Sequence, residues 1–241
     1  MLVDGVYRQL NPNQLQIENE YYSTIRPKRS ALSGERPTAA LRRGGVEYVE
    51  LRALDLDPFA PTGINETELR FAETFLVYCL LADSPSITAD ERKDIDYNHG
   101  AVARRGREPG LTLRKHGRMI VMQEWAREII GAMQGVAEQL DAGAGQEYRK
   151  ALGAGAALLE EADQTPSARV LRELRDSGQS LGDYGLALSR RYRDYFRDLP
   201  PEASQHYQTL EIEAQASLDR QCWIEEHDTL TFEEYLAAYY A

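Results

Sequence analysis

Cysteine is scarce in this chain: Cys79 and Cys222 are the only two in 241 residues, and neither belongs to a CxxC pair. That excludes a disulfide scaffold and a thiolate zinc site. Within Phe75-Leu-Val-Tyr-Cys-Leu-Leu, Cys79 reads as a small buried hydrophobe, and Cys222 beside Trp223 reads the same way. The four histidines, His99, His116, His206 and His227, show no ligand spacing, so none is assigned a role. Long hydrophobic runs are missing too. The longest, Phe75 to Ala82, falls far short of the ~20 residues that cross a membrane as a helix, and Met1-Leu-Val-Asp-Gly does not read as a signal peptide. The expectation is a cytoplasmic chain with no membrane partner. Positive charge is in deficit: 28 Lys plus Arg against 39 Asp plus Glu leave a net charge of -11 and a pI near 5.0. A general nucleic-acid binder presents a basic face to phosphate, and this balance opposes one. What is present is a 42% hydrophobic content, enough for a real core in one large or two small domains.

The chain changes character along its length. Gln14 to Arg26 and Gly45 to Leu56 alternate with period two and are rich in Ile, Val and Tyr, which predicts strands. The basic stretch Pro27-Lys-Arg-Ser-Ala-Leu-Ser-Gly-Glu-Arg-Pro between them cannot continue a sheet and reads as a loop. After Pro61 the spacing becomes helical. Asn65 with Glu68 three residues on reads as a capping box, and the helix it opens is apolar nearly all round, which predicts burial against the sheet. Thr88 with Glu91 opens a second helix, broken by Gly106 to Gly110, and Ile120 to Leu140 predicts a third. Thr165-Pro-Ser opens another that Gly178 closes, and Thr231 with Glu234 caps the last. Neither Ala142-Gly-Ala-Gly nor Gly153-Ala-Gly is followed by Lys-Ser/Thr or preceded by a strand, so they read as loops or small-residue helix contacts, not phosphate cradles. Arg190-Arg-Tyr-Arg-Asp-Tyr-Phe-Arg suits a solvated helix face with aromatic anchors better than a nucleic-acid contact. Together these features give an α+β chain: a short antiparallel strand segment over 1–63, followed by a helical region over 64–241.

The strands carry the chemistry. At i, i+2 spacing Glu18, Glu20, Tyr22, Thr24 and Arg26 share one face of the first, and Tyr48, Glu50, Arg52 and Leu54 share one face of the second. Side by side they would form a wall of carboxylates, guanidinium groups and tyrosine hydroxyls. Such a wall suits phosphoryl transfer, because Mg2+ takes a few carboxylate oxygens plus substrate phosphates, while an arginine fork holds phosphate bidentately. On spacing alone, a surface ion pair between Glu50 and Arg52 is the simpler reading.

The run from Tyr7 through Ile17-Glu-Asn-Glu-Tyr-Tyr-Ser-Thr-Ile-Arg-Pro-Lys-Arg, followed by Leu41-Arg-Arg-Gly-Gly-Val-Glu-Tyr-Val-Glu-Leu-Arg-Ala-Leu-Asp-Leu-Asp-Pro-Phe, closely resembles proteobacterial glutamate-cysteine ligases. The likeness continues through Phe71-Ala-Glu-Thr-Phe-Leu-Val-Tyr-Cys-Leu-Leu-Ala-Asp-Ser-Pro and Gly106-Arg-Glu-Pro-Gly-Leu-Thr-Leu, with Ser167-Ala-Arg-Val-Leu as a last echo. The pieces around Glu50-Leu-Arg52 and Arg26 also look like late strands of glutamine synthetases, and the resemblance implies a sheet of that kind. It further implies synthesis of gamma-glutamylcysteine, the first step towards glutathione: ATP phosphorylates the glutamate side-chain carboxylate and the cysteine amine then attacks. By position, Glu50 matches a metal-binding glutamate, Arg52 the arginine beside the transferred phosphoryl group, Tyr22 a tyrosine of the cysteine pocket and Arg26 an arginine near the nucleotide phosphates. Glu18 and Glu20 match additional groups around the site. The implied partners are glutamate, cysteine, ATP and Mg2+.

These residues match only the C-terminal half of that family, whose early strands carry most of the metal ligands. Two strands without neighbours are marginal. The expectation is a fragment, a split gene product or a late start, acting with a separate N-terminal half or through self-association. A non-catalytic helical subunit is the alternative, and a ligase for another amine acceptor a third reading.

Overall fold

A computed structural model describes residues 2–3, 6–32, 34–143, 145–200 and 206–240. In chain order it contains β1 (Leu2–Val3), β2 (Val6–Tyr7), a 3-10 turn (Glu18–Glu20), β3 (Ile25–Lys28), α1 (Pro37–Gly44), β4 (Tyr48–Leu51), α2 (Glu66–Leu81), α3 (Ala89–Arg105), β5 (Thr112–Lys115), β6 (Arg118–Val121), α4 (Met122–Leu140), α5 (Glu147–Glu160), a second 3-10 turn (Ala162–Gln164), α6 (Pro166–Ser177), α7 (Leu181–Asp198), α8 (Tyr207–Glu226) and α9 (Phe232–Tyr240). The class is α+β, as the sequence predicts. Among the described residues strands pair as three antiparallel two-stranded ladders, β1–β2, β3–β4 and β5–β6. The chain divides into two compact units, Met1–Asp55 with Pro200–Ala241, and Leu56–Leu199. No helix among the described residues is long and apolar enough to cross a membrane.

In the first unit the strands are much shorter than their alternating pattern predicts, although β3 runs on through Pro27 and Lys28, which the sequence assigns to the loop. Before β3 the polar side chains bind the local backbone instead of leaving it to a ladder. The Leu10 and Asn11 amides donate to Gln16 Oε1 at 2.8 and 3.1 Å, and the Gln16 amide donates to Glu20 Oε2 at 2.8 Å. Asn, Gln and Glu side chains compete with secondary structure in this way. The basic loop ends in a helix the sequence reading did not contain, α1, which begins with Pro37 at its first position and ends on Gly45 at φ 72. Both are standard helix-boundary devices. At the other end of the chain, the capping pair Thr231 and Glu234 opens α9 as predicted. Phe232 then meets Tyr7 edge-on at 5.1 Å, and the Tyr240 hydroxyl donates to the Gln16 carbonyl at 2.5 Å. Cys222 and its neighbour Trp223 in α8 are exposed, contrary to the buried reading.

The second unit is helical. Its core is Met133, Ala137 and Leu152, ringed by Phe71, Phe75, Tyr78, Ile129, Ile130 and Tyr148, so α2 packs on α4 and α5. The predicted packing of α2 against a sheet is corrected: its apolar faces meet helices, and Leu80 and Leu81 at its far end are exposed, as is Cys79. Gly155 has its expected small-residue role, since a Cβ there would run into the Phe71 ring. Asn65 with Glu68 and Thr88 with Glu91 form complete capping boxes, and Thr165 caps α6, which Gly178 closes at φ 67. Tyr192, within the Arg-rich run of α7, is an anchor: its hydroxyl donates to the Pro58 carbonyl at 2.6 Å. The predicted helix Ile120–Leu140 begins instead at Met122, because Ile120 and Val121 belong to the hairpin β5–β6, which turns through His116 and Gly117 at φ 52 and 74. Two successive positive φ values suit the twist of a tight hairpin.

Candidate functional site

The candidate site lies on the β3–β4 ladder. Its register opposes Ile25 to Leu51, Arg26 to Glu50, Pro27 to Val49 and Lys28 to Tyr48. Opposed residues point to the same side of a pair, so Arg26, Lys28, Tyr48 and Glu50 share one face. Beyond the ladder the Arg52 amide donates to the Thr24 carbonyl at 2.8 Å, which continues the pairing and keeps Arg52 on that face. Ile25, Pro27, Val49 and Leu51 occupy the other face, on which Ile25 and Val49 are exposed.

Glu50 is the centre of the charged face. Arg52 Nη2 stands 2.9 Å from its Oε1 and Lys28 Nζ 3.4 Å from its Oε2. The Arg52 hydrogen bond, only partly offset by burial, holds the Glu50 carboxyl below its ordinary range, with Lys28 adding to the effect. Glu50 Oε2 is itself covered and has no hydrogen-bond partner, Lys28 being near enough for attraction without bonding geometry. An oxygen held by an ion pair without a hydrogen bond keeps lone pairs for a further ligand. It is one ligand only: no group of three His, Cys, Asp or Glu that could hold a metal occurs among the described residues. Tyr22 lies beside Arg52, its ring centroid 6.0 Å from the guanidinium carbon and its hydroxyl 3.5 Å from the Arg52 carbonyl. The side chain of Arg26, opposite Glu50, has no hydrogen-bond or ion-pair partner among the described residues.

Five residues therefore meet here: Tyr22, Arg26, Lys28, Glu50 and Arg52. Two cations paired with one carboxylate, and a third opposite it in register, leave the face positive, in a chain whose net charge is -11. Such a face can hold phosphate oxygens bidentately and stabilise charge that develops on them. Lys28 is the member that the sequence reading left out, although it stands two residues from Arg26 and so on the same strand face.

Glu18 and Glu20 do not join the others. The sequence predicts both on the strand face, but they lie in the 3-10 turn. The Glu18 carboxylate accepts from the Thr38 amide at 2.9 Å and the Thr38 hydroxyl at 2.6 Å, serving the first turn of α1, where Arg36 offers no side-chain cap. Burial raises the Glu18 pKa, but the two Thr38 hydrogen bonds, with Arg36 and Arg42 nearby, outweigh it and leave the carboxyl below its usual range. Glu20 is bonded to the Gln16 amide.

Comparison with known proteins gives one consistent result. A family model described as glutamate-cysteine ligase matches residues 1–102, the stretch that contains the whole site. Glutamate–cysteine ligase from Azotobacter vinelandii (strain DJ / ATCC BAA-1303) is 45% identical over 239 residues, covering 99% of this chain and 45% of the relative. The ligase of Pseudomonas putida (strain W619) is 44% identical, covering 99% of this chain and 46% of the relative. That of Shewanella halifaxensis (strain HAW-EB4) is 38% identical over 99% of this chain and 45% of the relative. Among solved structures, glutamate–cysteine ligase from Francisella tularensis in complex with AMP superposes with a TM-score of 0.85 at 36% identity, covering 96% of this chain and 46% of that one. The resemblance read from the sequence is borne out along nearly the whole chain. The chain spans a little under half the length of the relatives it matches.

Proposed function

We propose that this chain, similar to glutamate–cysteine ligases over nearly all its length, supplies part of the catalytic surface of such a ligase, which joins the γ-carboxylate of L-glutamate to the amine of L-cysteine at the expense of ATP. The observation that carries the reading is the single positive face of β3–β4, on which Arg26, Lys28, Glu50 and Arg52 converge beside Tyr22. In the reaction, a γ-carboxylate oxygen attacks the terminal phosphorus of ATP and ADP leaves. The cysteine amine then attacks the acyl carbon, loses a proton and expels phosphate.

Arg52 directs its planar fork at the phosphoryl group in transit, where negative charge spreads over the equatorial oxygens. Its bond to Glu50 fixes the guanidinium before substrate arrives, which removes part of the cost of ordering it. Arg26, unpaired, takes the nucleotide phosphates. Tyr22 lines the pocket for the cysteine amine donor. Glu50 Oε2 is the oxygen that would hold Mg2+, with phosphate oxygens and groups from elsewhere in the ligase completing the shell, and Lys28 positions that carboxylate. Bound Mg2+ supplies charge neutralisation across the phosphates. Glu18 and Glu20 act at one remove, by setting the turn that leads into Tyr22.

The product is the first intermediate of glutathione synthesis, and the place of action the cytoplasm. The chain divides by role into the strand segment 1–63 and the helical region 64–241. Its partner is an N-terminal half of the ligase or a second copy, docking on the exposed Ile25 and Val49 side of the ladder. The deciding experiment is a chimera in which this chain replaces the matched 45% of the Azotobacter vinelandii ligase. ATP-dependent formation of gamma-glutamylcysteine supports the reading. A folded chimera without turnover favours a non-catalytic helical subunit.

A further inference from the structure

A hollow of about 360 Å³ lies in the helical unit, where α6 meets the turn after α3 and the 3-10 turn Ala162–Gln164. Arg107, Asp163, Arg172, Arg175 and Asp176 line it around Ala168. Arg172 and Arg175 are three apart on α6 and so neighbours on one helix face. Arg169, one turn earlier, is committed elsewhere, its guanidinium carbon 3.6 Å from the centre of the Phe59 ring.

Many arginines of this acidic chain are paired with carboxylates, as Arg105 is with Glu108, Arg127 with Glu160 and Arg149 with Asp141. Those of the hollow are not. The Arg107 and Arg175 side chains have no hydrogen-bond or ion-pair partner among the described residues, although Asp163 and Asp176 line the same cavity. Among the described residues the Arg172 side chain reaches only the Asp163 carbonyl oxygen, at 3.4 Å.

We propose that this hollow binds a small hydroxylated phosphomonoester, its phosphate held by Arg107, Arg172 and Arg175 and its hydroxyls by Asp163 and Asp176. Guanidinium forks match phosphate oxygens bidentately, and three forks offer more donors than one carboxylate can accept. The two aspartate side chains offer acceptor oxygens, so they call for donor groups on the ligand and disfavour a second anionic group. That argues against a polyanion. The volume falls at the lower end of the ~300–1,000 Å³ typical of small-molecule sites, and exceeds what inorganic phosphate alone would fill. The site lies within the unit Leu56–Leu199, whereas Arg26 and Arg52 belong to the other unit, so the inference does not rest on the ligase reading.

The test is calorimetric titration of the full chain with inorganic phosphate and with ribose 5-phosphate, at constant ionic strength in chloride. Both should saturate, ribose 5-phosphate at least ~3-fold more tightly, and the double variant Arg107→Gln/Arg175→Gln should weaken both at least ~10-fold, as loss of charged contacts does. Circular dichroism of that variant should match the parent, since both side chains are exposed. The pair Asp163→Asn/Asp176→Asn should abolish the preference for the sugar phosphate while inorganic phosphate binds at least as well. The proposal is overturned if neither compound binds above chloride, if the arginine pair changes nothing, if the preference survives the aspartate pair, or if binding is lost on Arg26→Gln/Arg52→Gln instead.

Discussion

Arg26 and Glu50 stand directly opposite each other on paired strands, while Arg52, two residues along from Glu50, reaches back to hold its Oε1 at 2.9 Å. The carboxylate is thus engaged by one arginine and faced by another that has no partner of its own among the described residues. In the proposed function, the group that Arg26 meets is a phosphate of the nucleotide.

The chain by itself should not form gamma-glutamylcysteine from glutamate, cysteine, ATP and Mg2+. The chain spans 45% of the Azotobacter vinelandii ligase it matches, and Glu50 is the carboxylate its charged face offers to a metal. A coupled assay for ADP on a homogeneous sample checks this, and clear turnover would refute it.

Gly153 and Gly155 share α5 but should respond oppositely to alanine. A Cβ at Gly155 meets the Phe71 ring, whereas nothing lies within 4 Å of one at Gly153. Gly155→Ala is expected to cost ~1–3 kcal/mol through overpacking. Gly153→Ala, in an exposed helix position, should gain up to ~1 kcal/mol. Chemical denaturation of the two variants reads both signs.

Glu35 should contribute to acid sensitivity. Its carboxylate accepts two hydrogen bonds from Arg43, each 2.9 Å, and one from the Leu32 amide, which hold its pKa down at about 2. A carboxyl depressed in the folded state stabilises it above the unfolded pKa of ~4.3, and that stability is lost as pH falls towards the folded value. The gap in urea midpoint between the parent chain and Glu35→Gln should be present at neutral pH and close as the pH approaches 2. A gap that persists unchanged at the acid end would show that the charge is not the cause.

Four helix starts were legible in the sequence because capping is local: Asn65, Thr88, Thr165 and Thr231 each bind within their own first turn. The extent of the strands was not. The alternation from Gln14 to Thr24 is real, but Gln16 and Glu20 satisfy backbone groups with their side chains, a choice that pattern alone does not reveal. The hairpin β5–β6 was hidden because its tip, Lys115-His-Gly-Arg118, is as polar as a loop. Within the site, the pairing of Glu50 with Arg52 follows from strand period, while the opposition of Arg26 to Glu50 depends on register. The departure of Glu18 to α1 depends on a helix the sequence reading lacked.

Kinetics of Glu50→Gln and Arg52→Lys in the chimeric ligase test the central claim most directly. Glu50→Gln keeps the shape and removes the charge, so the Mg2+ requirement should move to higher concentration as the rate falls. Arg52→Lys keeps the charge and loses the fork, so kcat should drop by ~10- to 1000-fold with a smaller change in ATP binding. If both variants leave kcat and the Mg2+ requirement unaltered, and stability moves only by the ~0–1 kcal/mol of an exposed ion pair, the two residues form a surface salt bridge and the catalytic reading of this face is contradicted.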